Sequence, residues 1–348
     1  MKVMHYYTYP EHSGGPLTYL KNIVSCEYLK DITFAECYQN KPFSALRKRD
    51  FKRIVSEIKA FGPDILHIHG AQGEGFVGLR AAKKAKVKAL MTVHGVQIDD
   101  QRTGKLKLLL FKKFIEPHTL KRCDGVYCVC KAMGKRDYIQ KNTKNLLPVL
   151  YNFIPDRFLA AQGEALELPD HSFKTVITYV GRVTEEKGMK EFAYCVQNDG
   201  SDQTQYWVVG DGDYRATMEE ELAEQVKAGK VIFFGQQKNV KAFWQETDIF
   251  LFPTYHENLS IALLEAASQK CCCLVSHVGG NPEVVENGVS GLTFPPKAPA
   301  ETLQALQKVL SAPELRNQCA ETLYQRVCQE FSEETFAKKL RTIYEDLL

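Results

Sequence analysis

The segment DIFLFPTYHENLSIALLEA, residues 248–266, decides how the chain folds. An apolar run of strand length ends at Pro253, a polar loop follows, and apolar and small residues then recur at helical spacing from about Ser260. A strand that leads directly into a helix is the repeating unit of a parallel sheet covered by helices on both faces. The segment therefore predicts an α/β fold, provided that similar units recur elsewhere.

Such units recur in two series. The first contains the runs KVMHYYTY, PDILHIHG, VKALMTVHG, CDGVYCVC and NLLPVLYNF, and the second contains KTVITYVGR, QYWVVGDGD, VIFFG, DIFLFPT and CCCLVSH. Between the series, residues 152–174 hold two prolines, several acids and weak periodicity, which predicts a linker. We therefore predict two doubly wound parallel-sheet domains that face each other across a cleft, with ligands beyond the carboxyl ends of the strands.

The composition is that of a soluble globular protein, with 44% hydrophobic and 25% charged residues among 348. The N-terminal segment lacks the apolar core of a signal peptide, and no run approaches the roughly 18 apolar residues of a spanning helix. Eleven cysteines, with three consecutive at 271–273, indicate a reducing compartment. Cys128 and Cys130 lack a second pair at metal spacing, so buried thiols are favoured over a zinc site. The sequence predicts a cytoplasmic protein without a metal site.

The charge is unevenly distributed along the chain. Residues 1–160 hold 28 Lys and Arg against 14 Asp and Glu, a net of +14, whereas residues 161–348 hold 17 against 28, a net of −11. This asymmetry predicts an anionic partner for the first domain.

A basic segment of the first domain indicates which kind of anionic partner to expect. Lys105, Lys107, Lys112 and Lys113 alternate with leucines and phenylalanines, which is typical of a helix at the interface of an anionic membrane. The same pattern is typical of a helix that covers a sheet, so both interpretations stay open.

Two glutamates stand eight positions apart in the opening segment, Glu257 and Glu265. Glu265 falls in a helix that is apolar nearly all round, and a buried carboxylate needs hydrogen-bonding partners. Hydroxyl groups of a ligand would serve, and an internal arginine is the alternative. Glu257 falls in the preceding loop, close to the backbone N–H groups of Leu259, Ser260 and Ile261, which form an anion site at the helix start. An acid that merely favours the helix dipole is the alternative there.

Arg182 and Lys187 flank the loop that follows the first strand of the second series. A planar guanidinium and a compact ammonium at the mouth of a sheet suit a diphosphate. Two surface cations that balance Glu185 and Glu186 are the alternative interpretation.

In the first domain, Gly14 and Gly15 follow the first strand and would let the backbone approach a ligand, although the segment is not the G-x-G-x-x-G dinucleotide fingerprint. His94 follows a strand, so it could donate to a sugar hydroxyl or act near a reacting centre. A satisfied core histidine is the alternative, and that structural role is favoured for His67 and His69.

The order of these motifs resembles that of the retaining glycosyltransferases of family 4, which have the GT-B fold. The resemblance covers nearly the whole chain and is carried by HIHG, TVHG, YNFIPDRF, VGRVTEEKG, VVGDGD, FPTYHENLSIALLEA and VGGNPEVVENGVSGLTF. It implies a Rossmann-like acceptor-binding domain over residues 1–160 and a Rossmann-like nucleotide-sugar-binding domain over residues 161–330. It also implies a C-terminal helix, residues 331–348, that crosses back to the first domain.

The resemblance also implies roles for individual residues. Glu265 would hold the ribose hydroxyls of the donor, Glu257 would contact the donor sugar, and His94 would lie beside the transferred sugar. The catalytic residues would be His94, Glu257, Arg182 and Lys187. The donor-binding residues would be Gly14, Gly15, Arg182, Lys187, Glu257, Asn258, Leu259, Ser260, Ile261 and Glu265.

The implied reaction is retaining transfer of a sugar from a nucleotide-diphosphate sugar, with UDP favoured, to a glycan. That glycan would be lipid-linked, and the pathway would make cell-surface polysaccharide or lipopolysaccharide. No cofactor, metal or nucleic-acid partner is expected, and the cytoplasmic protein would bind the membrane surface peripherally. Asn258 and Ser260 stand where the family often has Gly and Gly or Pro, so the sugar stays open. In a second departure, Phe153 replaces a hinge glycine. The alternatives are a nucleotide-sugar epimerase on the same scaffold and a non-catalytic nucleotide-sugar-binding protein.

Overall fold

The computed structural model describes residues 1–8, 15–39, 41, 43–96, 104–160, 168 and 175–348. These residues form two compact units. The first comprises Met1–Asn152 and Glu333–Leu348, and the second comprises Phe153–Ser332. The predicted linker at 152–174 falls largely outside the described residues.

The first unit alternates strands and helices, as its apolar runs predict. The strands are β1 Lys2–Thr8, β2 Thr33–Gln39, β3 Ile65–His69, β4 Lys88–Val93 and β5 Gly125–Cys128. The helices are α1 Gly15–Val24, α2 Lys48–Phe61, α3 Gly73–Ala85, α4 Lys105–Leu110, α5 Glu116–Arg122, α6 Lys131–Gly134 and α7 Asp137–Asn142. A π-helical turn, Phe111–Ile115, joins α4 to α5, and Glu27–Leu29 and Phe43–Ala45 are single 3-10 turns.

The strands of this unit form one parallel sheet in the order β2-β1-β3-β4-β5. Fully buried apolar side chains such as Tyr6, Ile54, Ile68 and Met91 form its core with the covering helices. The sheet order reverses between β1 and β3, and open α/β sheets bind ligands beyond the strand ends at such a reversal. The fold therefore places a candidate site where β1 and β3 end.

The predicted strand NLLPVLYNF, residues 145–153, is wrong. Only Leu146 forms a bridge, to Val126 of β5. The N–H groups of Leu147 and Leu150 still donate to backbone carbonyls of β5 at 2.8 and 3.1 Å. These donors stand three residues apart while their acceptors on β5 stand two apart, so the register slips by one residue and no regular ladder forms. The edge strand β2 was not predicted, because its burial is mixed rather than apolar throughout.

The second unit repeats the alternation. Its strands are β6 Thr175–Val180, β7 Thr204–Val209, β8 Val231–Gly235, β9 Ile249–Phe252, β10 Cys272–Ser276 and β11 Leu292–Phe294. Its helices are α8 Asp156–Ala160, α9 Met189–Asn198, α10 Arg215–Glu221, α11 Ala223–Lys227, α12 Lys241–Gln245, α13 Ile261–Ser268, α14 Asn281–Val284, α15 Pro299–Leu310 and α16 Pro313–Glu330. Glu185–Lys187 forms a 3-10 turn.

All strands of the second unit are parallel, in the order β11-β10-β9-β6-β7-β8. Counted from its first strand, this is the Rossmann order 3-2-1-4-5-6 read from the other edge. The reversal lies between β6 and β9, which are the strands that precede Arg182 and Glu257. The opening segment, β9 with α13, therefore lies at the centre of this unit.

The last helix, α17 (Glu333–Leu347), packs with the first unit. The guanidinium of Arg341 binds both carboxylate oxygens of Asp31 at 2.6 and 2.7 Å. The hydroxyl of Tyr344 lies 2.8 Å from Nδ1 of His67 in β3. Across the described residues, none of the helices combines the length and the apolar character needed to cross a bilayer.

Candidate functional site

In the second unit, two glycines hold the loops after β6 and β9 in place. Gly188 has φ +76°, and a Cβ built on it would lie 2.0 Å from the carbonyl oxygen of Pro253. Gly279 has φ +52°, and its Cβ would lie 1.6 Å from the carbonyl oxygen of Glu257. Neither position can carry a side chain without moving the backbone opposite. The loops that carry Lys187 and Glu257 are thus packed backbone against backbone.

This packing brings Lys187 and Glu257 together. Nζ of Lys187 lies 2.9 Å from Oε2 of Glu257, and the two side chains are 15% and 19% exposed. The other oxygen, Oε1, accepts the N–H of Asn258 at 3.0 Å. Burial on its own would raise the pKa of Glu257, but Lys187 and the Asn258 amide outweigh it, and the pKa is lowered. Glu257 is therefore ionised at neutral pH, beside a cation.

Arg182 lies in the same loop but is differently placed. Its side chain is 60% exposed, and Nη2 lies 3.0 Å from Oε1 of Glu186. Glu185 pairs instead with Lys190, at 2.6 Å. The alternative of a balanced surface cation thus describes Arg182 in this structure, whereas Lys187 is paired across to Glu257.

Helix α13 begins as its sequence predicts. Ser260 is the N-cap, and its Oγ accepts the N–H of Leu263 at 3.2 Å. This bond occupies the third helical amide, so the amides of Ile261 and Ala262 come first in the helix and point toward its N-terminal end. Leu259 is buried beside the cap. An anion at this end would meet backbone donors and the positive end of the helix dipole.

Glu265 lies one turn into α13 and is half-buried. Its partner among the described residues is the indole of Trp244, whose Nε1 donates to Oε2 at 3.4 Å, rather than an internal arginine. Burial raises the pKa of Glu265 to about 7, and the indole offsets this only partly. One long hydrogen bond leaves most of this carboxylate's acceptor capacity unused.

The first unit contains a cavity of about 520 Å³ at the ends of β1, β3 and β4. It lies where the order of the first sheet reverses. The described residues that line it are Tyr7, Thr8, Pro16, Leu17, His69, Gly70, Gln72, Glu74, His94 and Gly95.

His94 is half-buried in the wall of this cavity. Its Nε2 lies 3.4 Å from Nδ1 of His69, and the ring of Tyr19 packs edge-on against it with centroids 5.0 Å apart. Burial lowers the pKa of His94 to about 3, so the imidazole is neutral at physiological pH. It can then donate or accept one hydrogen bond without carrying charge.

Three buried imidazoles, His5, His67 and His69, form a cluster that reaches the cavity at His69, with one ligand atom from each within 4.8 Å of the others. Such a trio could hold a metal ion. In this structure Nδ1 of His5 is 2.9 Å from Nε2 of His69, and Nε2 of His67 is 2.7 Å from Oγ1 of Thr92. With Tyr344 on its other nitrogen, His67 has the structural role that the sequence favours.

The structure thus separates the predicted residues into two groups. Arg182, Lys187, Glu257, Asn258, Leu259, Ser260, Ile261 and Glu265 belong to the second unit, and His94 and Gly15 belong to the first. Gly14 lies outside the described residues. Sequence reasoning missed His5, Glu74 and Gly279. The sequence held a signal for two of them, because His5 is a polar residue within the apolar run of β1 and Glu74 is an acid in the first helical turn after HIHG.

The basic segment of the first unit has two different faces. Phe111 and Ile115 are buried against the unit, as expected of a helix that covers a sheet. The other face exposes Leu106 and Phe114 by 83% and 63%, and Leu109 and Leu110 by 46% and 48%. The four lysines of the segment, Lys105, Lys107, Lys112 and Lys113, are exposed as well.

Two family models match the chain. The model described as Glycosyltransferase Family 4 matches residues 31–157, and the model described as Glycosyl transferases group 1 matches residues 168–326. Together they span most of both units. Among curated relatives, the UDP-Gal:alpha-D-GlcNAc-diphosphoundecaprenol alpha-1,3-galactosyltransferase of Escherichia coli is 25% identical over 262 residues, which cover 70% of this chain and 66% of that enzyme.

Solved structures resemble the whole chain. Sucrose-phosphate synthase from Thermosynechococcus elongatus superposes with a TM-score of 0.82 at 18% identity, over 100% of this chain and 99% of that one. HepE of Anabaena in complex with UDP gives 0.81 at 15% identity, over 99% of this chain and 100% of that one. At these identities the likeness speaks for the fold, and it confirms the predicted GT-B class.

Proposed function

The chain belongs to glycosyltransferase family 4, and from that premise we propose that it transfers a sugar from a UDP-sugar to a glycan acceptor with retention of configuration. The observation that carries this proposal is the Lys187–Glu257 pair at the β6/β9 reversal, beside the start of α13. A cation, an ionised carboxylate and helix amides at one strand edge suit a sugar diphosphate. The Escherichia coli relative is named for a UDP-linked donor and HepE binds UDP, which support this donor class.

In this proposal the second unit binds the donor. The diphosphate lies against the N-terminal end of α13 and the ammonium of Lys187, and Glu257 accepts hydroxyl groups of the sugar. Arg182, whose side chain is exposed, exchanges its partner Glu186 for the diphosphate. Glu265 accepts the two ribose hydroxyls with the oxygen capacity that Trp244 leaves unused.

Two cations and a helix end neutralise the leaving diphosphate, so no metal ion is required in this mechanism. The C1–O bond to the phosphate breaks while the acceptor oxygen forms its bond to C1 on the same face. The acceptor's proton passes to the leaving phosphate oxygen, and no carboxylate nucleophile is needed. In the first unit, neutral His94 lies in the wall of the cavity and can donate one hydrogen bond to a sugar hydroxyl there.

The test is an assay of UDP release from a panel of UDP-sugars, with and without undecaprenyl-diphosphate-linked glycans. Release that requires acceptor, with an α-linked product by NMR from an α-linked donor, supports the proposal. Lys187→Ala should abolish most of the release, and Lys190→Ala is the matched control, since Lys190 is an exposed lysine in an ion pair three residues away. Epimerised donor without a transferred product would contradict the proposal, and so would an inverted linkage.

We further propose that the acceptor is lipid-linked and that the exposed face of residues 105–114 docks on an anionic membrane. Four lysines surround four exposed apolar side chains, and a second basic group, Arg47, Lys48 and Arg49, is exposed at the start of α2. Each cation near an anionic surface contributes about 1 kcal/mol, and salt screens it. The apolar side chains add the burial in the headgroup region that a purely electrostatic contact lacks.

Vesicle co-sedimentation tests this docking. The protein should pellet with vesicles that contain phosphatidylglycerol, stay in solution with phosphatidylcholine alone, and detach as salt rises. Replacing Leu106 and Phe114 by Ser should weaken pelleting without affecting UDP binding. Val226→Ser is the matched control, because Val226 is 39% exposed on the other unit. Equal pelleting with neutral and anionic vesicles would make the segment an ordinary covering helix.

A further inference from the structure

Glu74 lies in the wall of the first unit's cavity, as His94 does. It is the second residue of α3 and half-buried, and the backbone amides of Gln72 and of Glu74 itself act to lower the pKa of its carboxyl group. A Cβ built on Gly70 would lie 2.2 Å from Oε1 of Glu74, so the carboxylate rests directly against the α-carbon of that glycine. The glycine of the HIHG motif thus makes room for a fixed carboxylate.

This carboxylate is the distinctive charge of the cavity. Among the described residues that line it there is no lysine or arginine. Burial lowers the pKa of His69 well below its usual range and that of His94 to about 3, so both imidazoles are neutral. Burial, reinforced by Glu116, raises the pKa of Glu74 to about 7 despite the two amides. The remaining wall mixes apolar surface with uncharged hydrogen-bonding groups, which is typical of small-molecule sites.

We propose that Glu74 accepts a hydrogen bond from a hydroxyl of the acceptor and selects uncharged acceptor sugars over anionic ones. This inference rests on the proposed function, because it assigns the cavity to the acceptor of that reaction. A fixed carboxylate with no cation among the described lining residues repels a uronic acid or a phosphorylated sugar, since like charges interact strongly where water is partly excluded. The same carboxylate strengthens its hydrogen bond to a neutral sugar hydroxyl, because the acceptor atom is charged.

The test uses a matched pair of probes, para-nitrophenyl β-glucoside and para-nitrophenyl β-glucuronide, which differ only in the charged group at C6. Their affinities are measured by NMR titration at pH 8 on the full chain. The wild-type protein should bind the glucoside on the order of tenfold more tightly than the glucuronide, as the loss of one charge-assisted contact and the gain of one repulsion require.

Glu74→Gln keeps the shape of the side chain and removes its charge, so the glucoside preference should fall at least fivefold. Glu74→Asp keeps the charge, so it should keep the discrimination against the glucuronide while it weakens glucoside binding. Glu57→Gln is the matched control, because Glu57 pairs with Arg53 on α2 and does not line the cavity. A merely structural role for Glu74 would change both affinities together and leave their ratio constant.

The inference is overturned if wild-type protein binds both probes equally, if it binds neither while still binding UDP, or if Glu74→Gln leaves the ratio unchanged. UDP affinity, measured by calorimetry on the same preparations, separates this inference from the proposed function. Loss of the glucoside preference in Glu74→Gln supports the inference even where UDP fails to bind, and in that case the proposed donor is wrong.

Discussion

Replacing Glu265 by Ala or Gln tests the ribose site directly. The carboxylate has one long hydrogen bond, from Trp244 at 3.4 Å, so two further acceptor positions can take ribose hydroxyls. Losing about two charge-assisted hydrogen bonds should weaken UDP binding by roughly 2–4 kcal/mol in Glu265→Ala, or roughly 30- to 900-fold. Glu265→Gln should lose less, because its amide oxygen still accepts one hydroxyl. Isothermal calorimetry with UDP measures both variants.

The affinity for UDP should also fall as the pH is lowered. The pKa of Glu265 in the free protein is about 7, and hydroxyl donors favour the ionised form. Binding therefore requires ionisation, and UDP affinity should fall roughly tenfold from pH 8 to pH 6, where about a tenth of the carboxylate is ionised. UDP also titrates near this range, with a second phosphate pKa of about 6. Glu265→Gln supplies the correction, since only the ligand's own titration remains in that variant.

A thermodynamic cycle that combines the Glu265→Gln variant with 2′,3′-dideoxy-UDP isolates the contact between this carboxylate and the ribose hydroxyls. If Glu265 binds the ribose hydroxyls, the dideoxy ligand and the Glu265→Gln variant should each lose affinity, and combining them should cost little more than either alone. Additive losses would mean that the carboxylate and the hydroxyls act independently. Unchanged UDP affinity in a folded Glu265→Ala variant would refute the ribose role outright.

Three further predictions concern the same unit. Arg182→Ala and Lys187→Ala should each lower kcat more than they raise the KM for the donor, and a change confined to KM would indicate ground-state binding alone. Arg182→Lys should restore only part of the loss, because the planar fork of the guanidinium is missing. EDTA should leave activity nearly intact. Gly279→Ala should destabilise the unit by more than about 3 kcal/mol in urea unfolding. The control Gly200→Ala, with a similar φ of +69° and open space around its α-carbon, should cost about 1 kcal/mol. Equal costs would show that the close approach of Gly279 to Glu257 is relaxed easily. Glu265→Gln should raise the free energy of unfolding by up to about 3 kcal/mol at pH 8 and by nothing below pH 4.5. The reason is that a carboxyl whose pKa is raised from 4.5 to about 7 in the folded state destabilises the fold only where it is ionised in the unfolded chain. A variant no more stable than wild type at pH 8 would contradict the raised pKa.

The strands of the fold were predictable because buried parallel strands are apolar on both faces, and runs such as IFLF have few other uses. The prediction failed at residues 145–153, where an apolar run lies beside β5 but its register slips by one residue after a single bridge. It also missed two edge strands, β2, whose residues are only partly buried, and β11, which has three residues. Apolarity reports burial, and it does not report whether the backbone can pair.

The site was predictable one segment at a time. Arg182, Lys187 and Glu257 were selected as candidates because they follow apolar strands at the edge where such sheets bind ligands, and Glu265 because a carboxylate in an apolar helix needs a partner. Their pairing was not predictable, since Lys187 and Glu257 lie 70 positions apart and meet only because β6 and β9 are neighbours. Sheet order is set by packing over the whole unit, which local patterns do not report. Glu74 was missed for a different reason, because an acid in the first turn of a helix is explained by the helix dipole alone.

The placement of positive charge in the first unit supports a surface partner over a charged substrate in its cavity. Residues 1–160 carry a net charge of +14, yet the described lining of the cavity contains no lysine or arginine and has the carboxylate of Glu74. The excess charge is exposed instead, for example at the start of α2 and along residues 105–113. A cavity that bound a phosphorylated or uronic acceptor would need cations in its wall, where desolvation makes them effective. Cations at the surface act on extended anionic partners, and in this unit they lie beside exposed leucines and a phenylalanine, as contact with a membrane requires.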